Sequence, residues 1–174
     1  KKVMLRGKGQ NMPKTEPKKR ITLFQALPNK YEKIEYILQK WVEVGIQQFV
    51  FFRSDYSQKL VLSPSKQIRF QDIAKEALEQ CGGLVMPAIR YLEKFPEPLQ
   101  SAPNIILDTI WTNTTLQSMS QYQDIGVWVG PEGGWSPLER AKMESYGFIN
   151  THLWDRVLRT ETAGIVVSFA LIHS

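Results

Sequence analysis

Ile125-Gly126-Val127-Trp128-Val129-Gly130-Pro131-Glu132-Gly133-Gly134-Trp135-Ser136-Pro137-Leu138-Glu139 is the stretch on which the fold turns. Ile125 to Val129 reads as a short buried strand, because apolar residues run through it without a polar break. It leads directly into a glycine-rich loop, Gly130 to Gly134. A helix follows: Ser136 stands at the N-cap, Pro137 at the first helical position and Glu139 three residues after the cap. Strand, loop and helix in this order belong to an open α/β sheet, where ligands bind beyond the carboxyl ends of the strands. The loop is not a P-loop, since no Gly-Lys-Ser/Thr follows, nor is it the Gly-x-Gly-x-x-Gly dinucleotide fingerprint. On spacing alone it fits a tight strand-to-helix turn as well as a ligand loop.

Downstream, Gly147 ends the helix, Phe148 to Leu153 reads as a strand and Thr160 to His173 as a last helix. That helix carries Ala163, Ile165, Val166, Val167, Phe169, Ala170 and Leu171 on nearly all sides, the pattern of a helix buried in the core or at a subunit interface. Thr160 is placed to cap it, and Glu161 and Thr162 suit the positive end of its dipole. Arg156 and Arg159, three apart, suit a phosphate or a pairing with Glu132 or Glu161. Simple helix capping accounts for the same segment. Upstream, Ile21 to Leu27 is a strand stopped by Pro28-Asn29. Ile34, Ile37, Leu38, Trp41 and Val42 form one helical face closed by Gly45. Phe49 to Phe52 is a strand, Ser65 to Cys81 a helix stopped by Gly82-Gly83, and Met86 to Tyr91 and Asn104 to Asp108 are further strands. This alternation predicts a mostly parallel sheet with helices on both faces.

The 174 residues suit one domain, and 43% apolar content supports a sizeable core. No apolar run approaches the roughly 18 residues of a membrane span, and the charged N-terminus lacks a signal-peptide core. A cytoplasmic protein without membrane attachment is expected. One cysteine, Cys81, and two histidines, His152 and His173, leave no internal disulfide and no expected metal site. Trp41 reads as core, and Trp128 as core or interface packing ahead of base stacking. Trp111 and Trp135 suit either base stacking or packing, His152 a structural role, and Cys81 a small buried position. Residues 1–20 hold eight Lys/Arg and one acid, a net +7 that leaves −2 for residues 21–174 of a chain carrying +5. Such an arm fits attraction to phosphates, and equally a solvated tail.

The C-terminal set Gly130-Pro131-Glu132-Gly133-Gly134-Trp135-Ser136, Gly147-Phe148 and Arg156-Val157-Leu158-Arg159-Thr160-Glu161-Thr162-Ala163 resembles the signature of RsmE-type 16S rRNA (uracil-N3) methyltransferases of the SPOUT superfamily. Colinear matches lie upstream at Gln25-Ala26-Leu27-Pro28, Glu32-Lys33-Ile34-Glu35, Gln39-Lys40, Glu43-Val44-Gly45, Ile73-Ala74-Lys75-Glu76-Ala77 and Glu79-Gln80-Cys81. The resemblance covers residues 21–174 and implies a SPOUT methyltransferase domain there, α/β with a deep trefoil knot. It implies S-adenosylmethionine as cofactor, 16S rRNA as partner and a homodimer. It also casts residues 1–20 as a basic stub left from an N-terminal PUA-like RNA-binding domain. The chain departs from the family at Tyr56 and at Gly83-Leu84-Val85, where arginines are usual, and at Leu153-Trp154, where Leu-Gly is usual.

Carried onto this sequence, the cofactor set is Leu107, Val129, Gly130, Pro131, Glu132, Gly133, Gly134, Leu153, Trp154, Val157, Leu158 and Thr160. Arg159 is the candidate for substrate orientation or charge stabilisation. Glu132 and Glu161 are candidates for proton acceptance or for holding Arg159, and a conformational role in its loop is the other reading of Glu132. Methyl transfer is an in-line displacement that chiefly needs positioning, and uracil N3 must lose its proton before or during attack. Two rival readings stand beside this: a SPOUT methyltransferase acting at another RNA position, and a non-catalytic RNA-binding dimer that retains the fold.

Overall fold

The computed structural model describes residues 16–109, 116–151 and 156–173. Its elements are β1 (Arg20–Ala26), α1 (Tyr31–Val44), β2 (Gln48–Phe52), α2 (Pro64–Cys81), β3 (Ala88–Leu92), β4 (Asn104–Leu107), a single 3-10 turn at Leu116–Met119, β5 (Asp124–Val129), α3 (Pro137–Ser145), β6 (Ile149–Thr151) and α4 (Thr160–Ile172). Among the described residues six strands form one sheet in the order β3-β2-β1-β5-β4-β6, and every pairing is parallel. The sheet is thus the one the sequence predicts, with one 3-10 turn that the patterning gave no sign of.

The strands are nearly continuous apolar runs because each face of the sheet is covered. Alternate residues serve opposite layers. Ile21 and Leu23 of β1, Phe49 and Phe51 of β2, and Ile125, Val127 and Val129 of β5 pack with Ile34, Leu38 and Trp41 of α1, Phe70 and Ile73 of α2, and Val167 and Leu171 of α4. Phe24, Ala26, Val50, Phe52, Ile106 and Trp128 point the other way and meet Trp135 from the loop before α3 and Met143 of α3. Helices therefore lie on both faces, as expected. Trp128 is fully buried, stacks on Phe24 at 4.1 Å between ring centroids and donates from its indole N–H to Asn104 Oδ1 at 3.0 Å. Trp41 is also core.

Local signals end the elements where expected. Gly45 closes α1 in the left-handed conformation at φ 93°. Ser136 caps α3, and its hydroxyl and Glu139 form the full reciprocal capping box. Gly164 answers a packing need: a Cβ there would lie 1.7 Å from the Trp41 ring, so α4 can settle on α1 only without a side chain at that position.

Two expectations are corrected. Cys81 is exposed at the end of α2, because its stripe runs past the edge of the core. Thr160 does not cap α4: Arg159 holds the N-cap position without a side-chain hydrogen bond, and the Thr160 hydroxyl is used elsewhere. Helix α4 meets the core on one side within the chain. Gly164, Val167, Ser168 and Leu171 are buried, whereas Val166 and Phe169 are exposed. The arm also differs at its end, since β1 starts at Arg20. Glu16 accepts hydrogen bonds from Leu84 N at 2.6 Å, Val85 N at 3.2 Å and Gln47 Nε2 at 2.9 Å. Residues 1–15, Trp111, His152, Leu153 and Trp154 lie outside the described residues. Among the described residues no helix is long and apolar enough to cross a membrane.

Candidate functional site

A cavity of about 550 Å³ opens at the carboxyl ends of β4, β5 and β6, the place where an open α/β sheet offers ligand sites. Leu107, Val129 and Thr151 end the three strands at its floor. One wall is the loop from Gly130 to Trp135. The opposite wall is the segment Arg156 to Arg159 with the first turn of α4. Lys33 from α1 and the pair Asp108 and Arg140 complete the lining.

Specific contacts fix the glycine loop. Gly134 N–H donates to Pro131 O at 2.9 Å, closing a turn, and Gly134 then leaves with φ 71°, a left-handed conformation that side chains resist. No atom lies near a Cβ built on Gly134, so glycine is needed there for its backbone and not for space. At Gly133 a Cβ would approach Tyr56 at 3.1 Å. The buried Thr160 hydroxyl donates to Gly130 O at 2.6 Å and accepts from Gln25 Nε2 at 3.0 Å. This one residue joins the end of β1, the loop after β5 and the start of α4. Trp135 Nε1 donates to Leu107 O at 3.3 Å and ties the loop to β4. The capping carboxylate of Glu139 also accepts from Asp55 N at 3.0 Å, and the Ser136 hydroxyl hydrogen-bonds the Asp55 carboxylate.

Charges are distributed unevenly around the cavity. Lys33 Nζ donates to Glu132 Oε1 at 2.6 Å, and Asn29 N donates to the same oxygen at 3.2 Å. Burial opposes ionisation of Glu132, yet the Lys33 bond and backbone N–H groups outweigh it and hold the carboxyl below its ordinary range. Lys33 Nζ also lies 3.8 Å from Glu161 Oε2, beyond hydrogen-bond reach. That oxygen is buried without a hydrogen-bond partner. Arg140 grips Asp108 through two bonds, at 2.7 and 3.1 Å, and the Asp108 hydrogen bond raises the Arg140 pKa. Arg156 and Arg159 are exposed on the rim, and no described residue pairs with their guanidinium groups. Val157 beside them is 80% exposed, an apolar surface facing open space at a cavity mouth.

The profile of the RNA methyltransferase domain family matches residues 14–172. The chain belongs to the RNA methyltransferase domain family. Among relatives in it, the ribosomal RNA small subunit methyltransferase E of Buchnera aphidicola is 32% identical over 150 residues, covering 82% of this chain and 61% of the relative. The chain thus spans about three fifths of that relative's length. A putative methyltransferase from Legionella pneumophila, solved with bound cofactor SAM, superposes with a TM-score of 0.81 at 28% identity, over 90% of this chain and 67% of that one. Ribosomal RNA small subunit methyltransferase E from Neisseria gonorrhoeae, bound to S-adenosyl methionine, gives 0.79 at 26% identity, over 92% and 69%. The fold is the α/β SPOUT fold of these methyltransferases.

Against this family background the expected site residues fall together. Leu107, Val129, Gly130, Pro131, Glu132, Gly133, Gly134, Val157, Leu158, Arg159, Thr160 and Glu161 all line the one cavity. Leu153 and Trp154 are outside the described residues. Among the described residues neither glutamate pairs with an arginine; Lys33 bonds Glu132 and lies near Glu161. Lys33, Asp108, Arg140 and Thr151 are site residues that the sequence reading did not select. Lys33 had a signal, since the first turn of a helix following a strand stands over the sheet's carboxyl edge. Asp108 and Arg140 had none, being 32 residues apart and paired only by the fold.

Proposed function

We propose that the protein is an S-adenosylmethionine-dependent methyltransferase that acts on small-subunit ribosomal RNA at N3 of a uridine. The observation that carries this reading is the single cavity built from three separate segments that the family signature marks. Its volume lies within the usual range for cofactor pockets, roughly 300–1,000 Å³. Apolar Leu107, Val129, Val157 and Leu158 suit the flat face of an adenine, and the loop from Gly130 to Gly134 brings unobstructed backbone to the ligand. Bound S-adenosylmethionine supplies a methyl group on a sulfonium, ready for in-line displacement.

The chain's own residues then position and stabilise. Arg159, exposed and unpaired among the described residues, is free to orient RNA and to stabilise charge developing on the uracil. Glu132 is committed to Lys33 and the Asn29 N–H, and its lowered pKa makes it a weak base, so its part is to hold the loop. Glu161, whose Oε2 has no hydrogen-bond partner, is the remaining acceptor for the N3 proton. A uridine paired in RNA would have to be swung out to reach the site. The same proposal includes a homodimer formed through the outer face of α4, the trefoil threading of the SPOUT family, a cytoplasmic location and residues 1–20 as part of the RNA-binding surface.

Nucleoside mass spectrometry tests the reaction. Small-subunit rRNA incubated with the protein and methyl-labelled cofactor should yield labelled 3-methyluridine. Label in another nucleoside would move the protein to a different RNA position, and no label despite cofactor binding would favour the non-catalytic RNA-binding dimer.

A further inference from the structure

We infer that Lys33 is a positioning residue of the methyl-donor site, where one ammonium group joins the two walls of the cavity by holding Glu132 on the loop and facing Glu161 on α4. The inference rests on the reading of the cavity as an S-adenosylmethionine site. Lys33 is the cavity's contribution from α1, which otherwise belongs to the core beneath it. Its Nζ is 2.6 Å from Glu132 Oε1 and 3.8 Å from Glu161 Oε2. The three side chains are largely shielded, with exposures of 24%, 31% and 13%. Two carboxylates brought this close repel each other unless a cation lies between them. Lys33 is that cation. It leaves the cluster with one net negative charge beside a donor whose sulfonium and ammonium outweigh its carboxylate. Without Lys33, Glu132 would lose the ammonium hydrogen bond that favours its charged form, and it would face Glu161 without the cation that lies between them.

The test is a titration of S-adenosylmethionine into the full chain by calorimetry, for the wild type, Lys33→Met, Lys33→Arg, Glu132→Gln and the double variant Lys33→Met/Glu132→Gln. Lys33→Met should weaken binding about tenfold, and Lys33→Arg should stay within about threefold of the wild type because the charge is kept. The double variant should bind no worse than the worse single variant, since both remove one contact. On acidification the Lys33→Met protein should lose further affinity at a higher pH than the wild type does, because Glu132 no longer has the Lys33 hydrogen bond that favours its charged form, an effect that a purely structural role would not produce. Equal affinity of wild type and Lys33→Met would overturn the inference, as would additive losses in the double variant with no change in pH profile. If the wild type itself fails to bind, the reading of the cavity falls instead.

Discussion

Thr160 shows most plainly how a single side chain organises the site. The sequence marked it as a helix cap, but Arg159 holds the cap position and the Thr160 hydroxyl serves elsewhere. Its buried hydroxyl spans Gly130 O and Gln25 Nε2, two groups far apart in sequence, and no local pattern could reveal that bond. Thr160→Val keeps the shape and removes both hydrogen bonds. It should cost roughly 1–3 kcal/mol in urea unfolding and weaken S-adenosylmethionine binding, because the Gly130 carbonyl loses its tether. Unchanged stability and affinity would show that the bond does not fix the loop. Gly134 gives the opposite lesson. Its importance was legible from the glycine itself, but the cause is a backbone φ of 71° and not crowding.

At the scale of elements, helix starts and stops were the most legible features, because caps are local chemistry. Ser136, Pro137 and Glu139 announced α3, and Gly45 and Gly147 ended α1 and α3 in left-handed conformations. The covering of α4 was less legible. Its composition is apolar on every side, so sequence cannot say which face meets α1. The fold answers through Gly164, which lies against Trp41 and turns Val166 and Phe169 outward. Gly164→Ala should destabilise by several kcal/mol, more than the usual ~1–3 kcal/mol of overpacking, since the added Cβ would lie 1.7 Å from a fully buried ring. Thermal melts check this, and a melting temperature equal to that of the wild type would contradict the packing. The outward face carries the dimer proposal. Phe169→Glu should leave the fold intact, within about 0.5 kcal/mol, and turn a dimer into a monomer by light scattering. A wild type that is monomeric at working concentration would end the proposal.

Across the whole molecule, charge and topology set the behaviour. The alternation of strands and helices specified a parallel sheet covered on both faces. Strand order was beyond it, because the sequence pattern of β4, β5 and β6 is the same whichever neighbours they take. Among the described residues three carboxyls sit below their ordinary range: Glu35 through its hydrogen bond to Arg69, Asp124 through its bond to Arg20, and Glu132 where Lys33 and backbone N–H groups outweigh burial. Their folded pKa values are depressed, so the stability they contribute is present above the unfolded carboxyl range, about pH 4, and is lost as pH falls through the folded values. The melting temperature should drop on acidification below about pH 4, and less steeply at high salt, which screens the exposed Arg20–Asp124 pair. A melting temperature independent of pH through that range would contradict this account. The central claim concerns the cavity at the strand ends, and calorimetric titration with S-adenosylmethionine tests it most directly. The account predicts saturable binding of one cofactor per chain, lost in a folded Gly134→Val variant whose loop can no longer adopt its left-handed turn. No binding by the wild type, or undiminished binding by Gly134→Val, would contradict it.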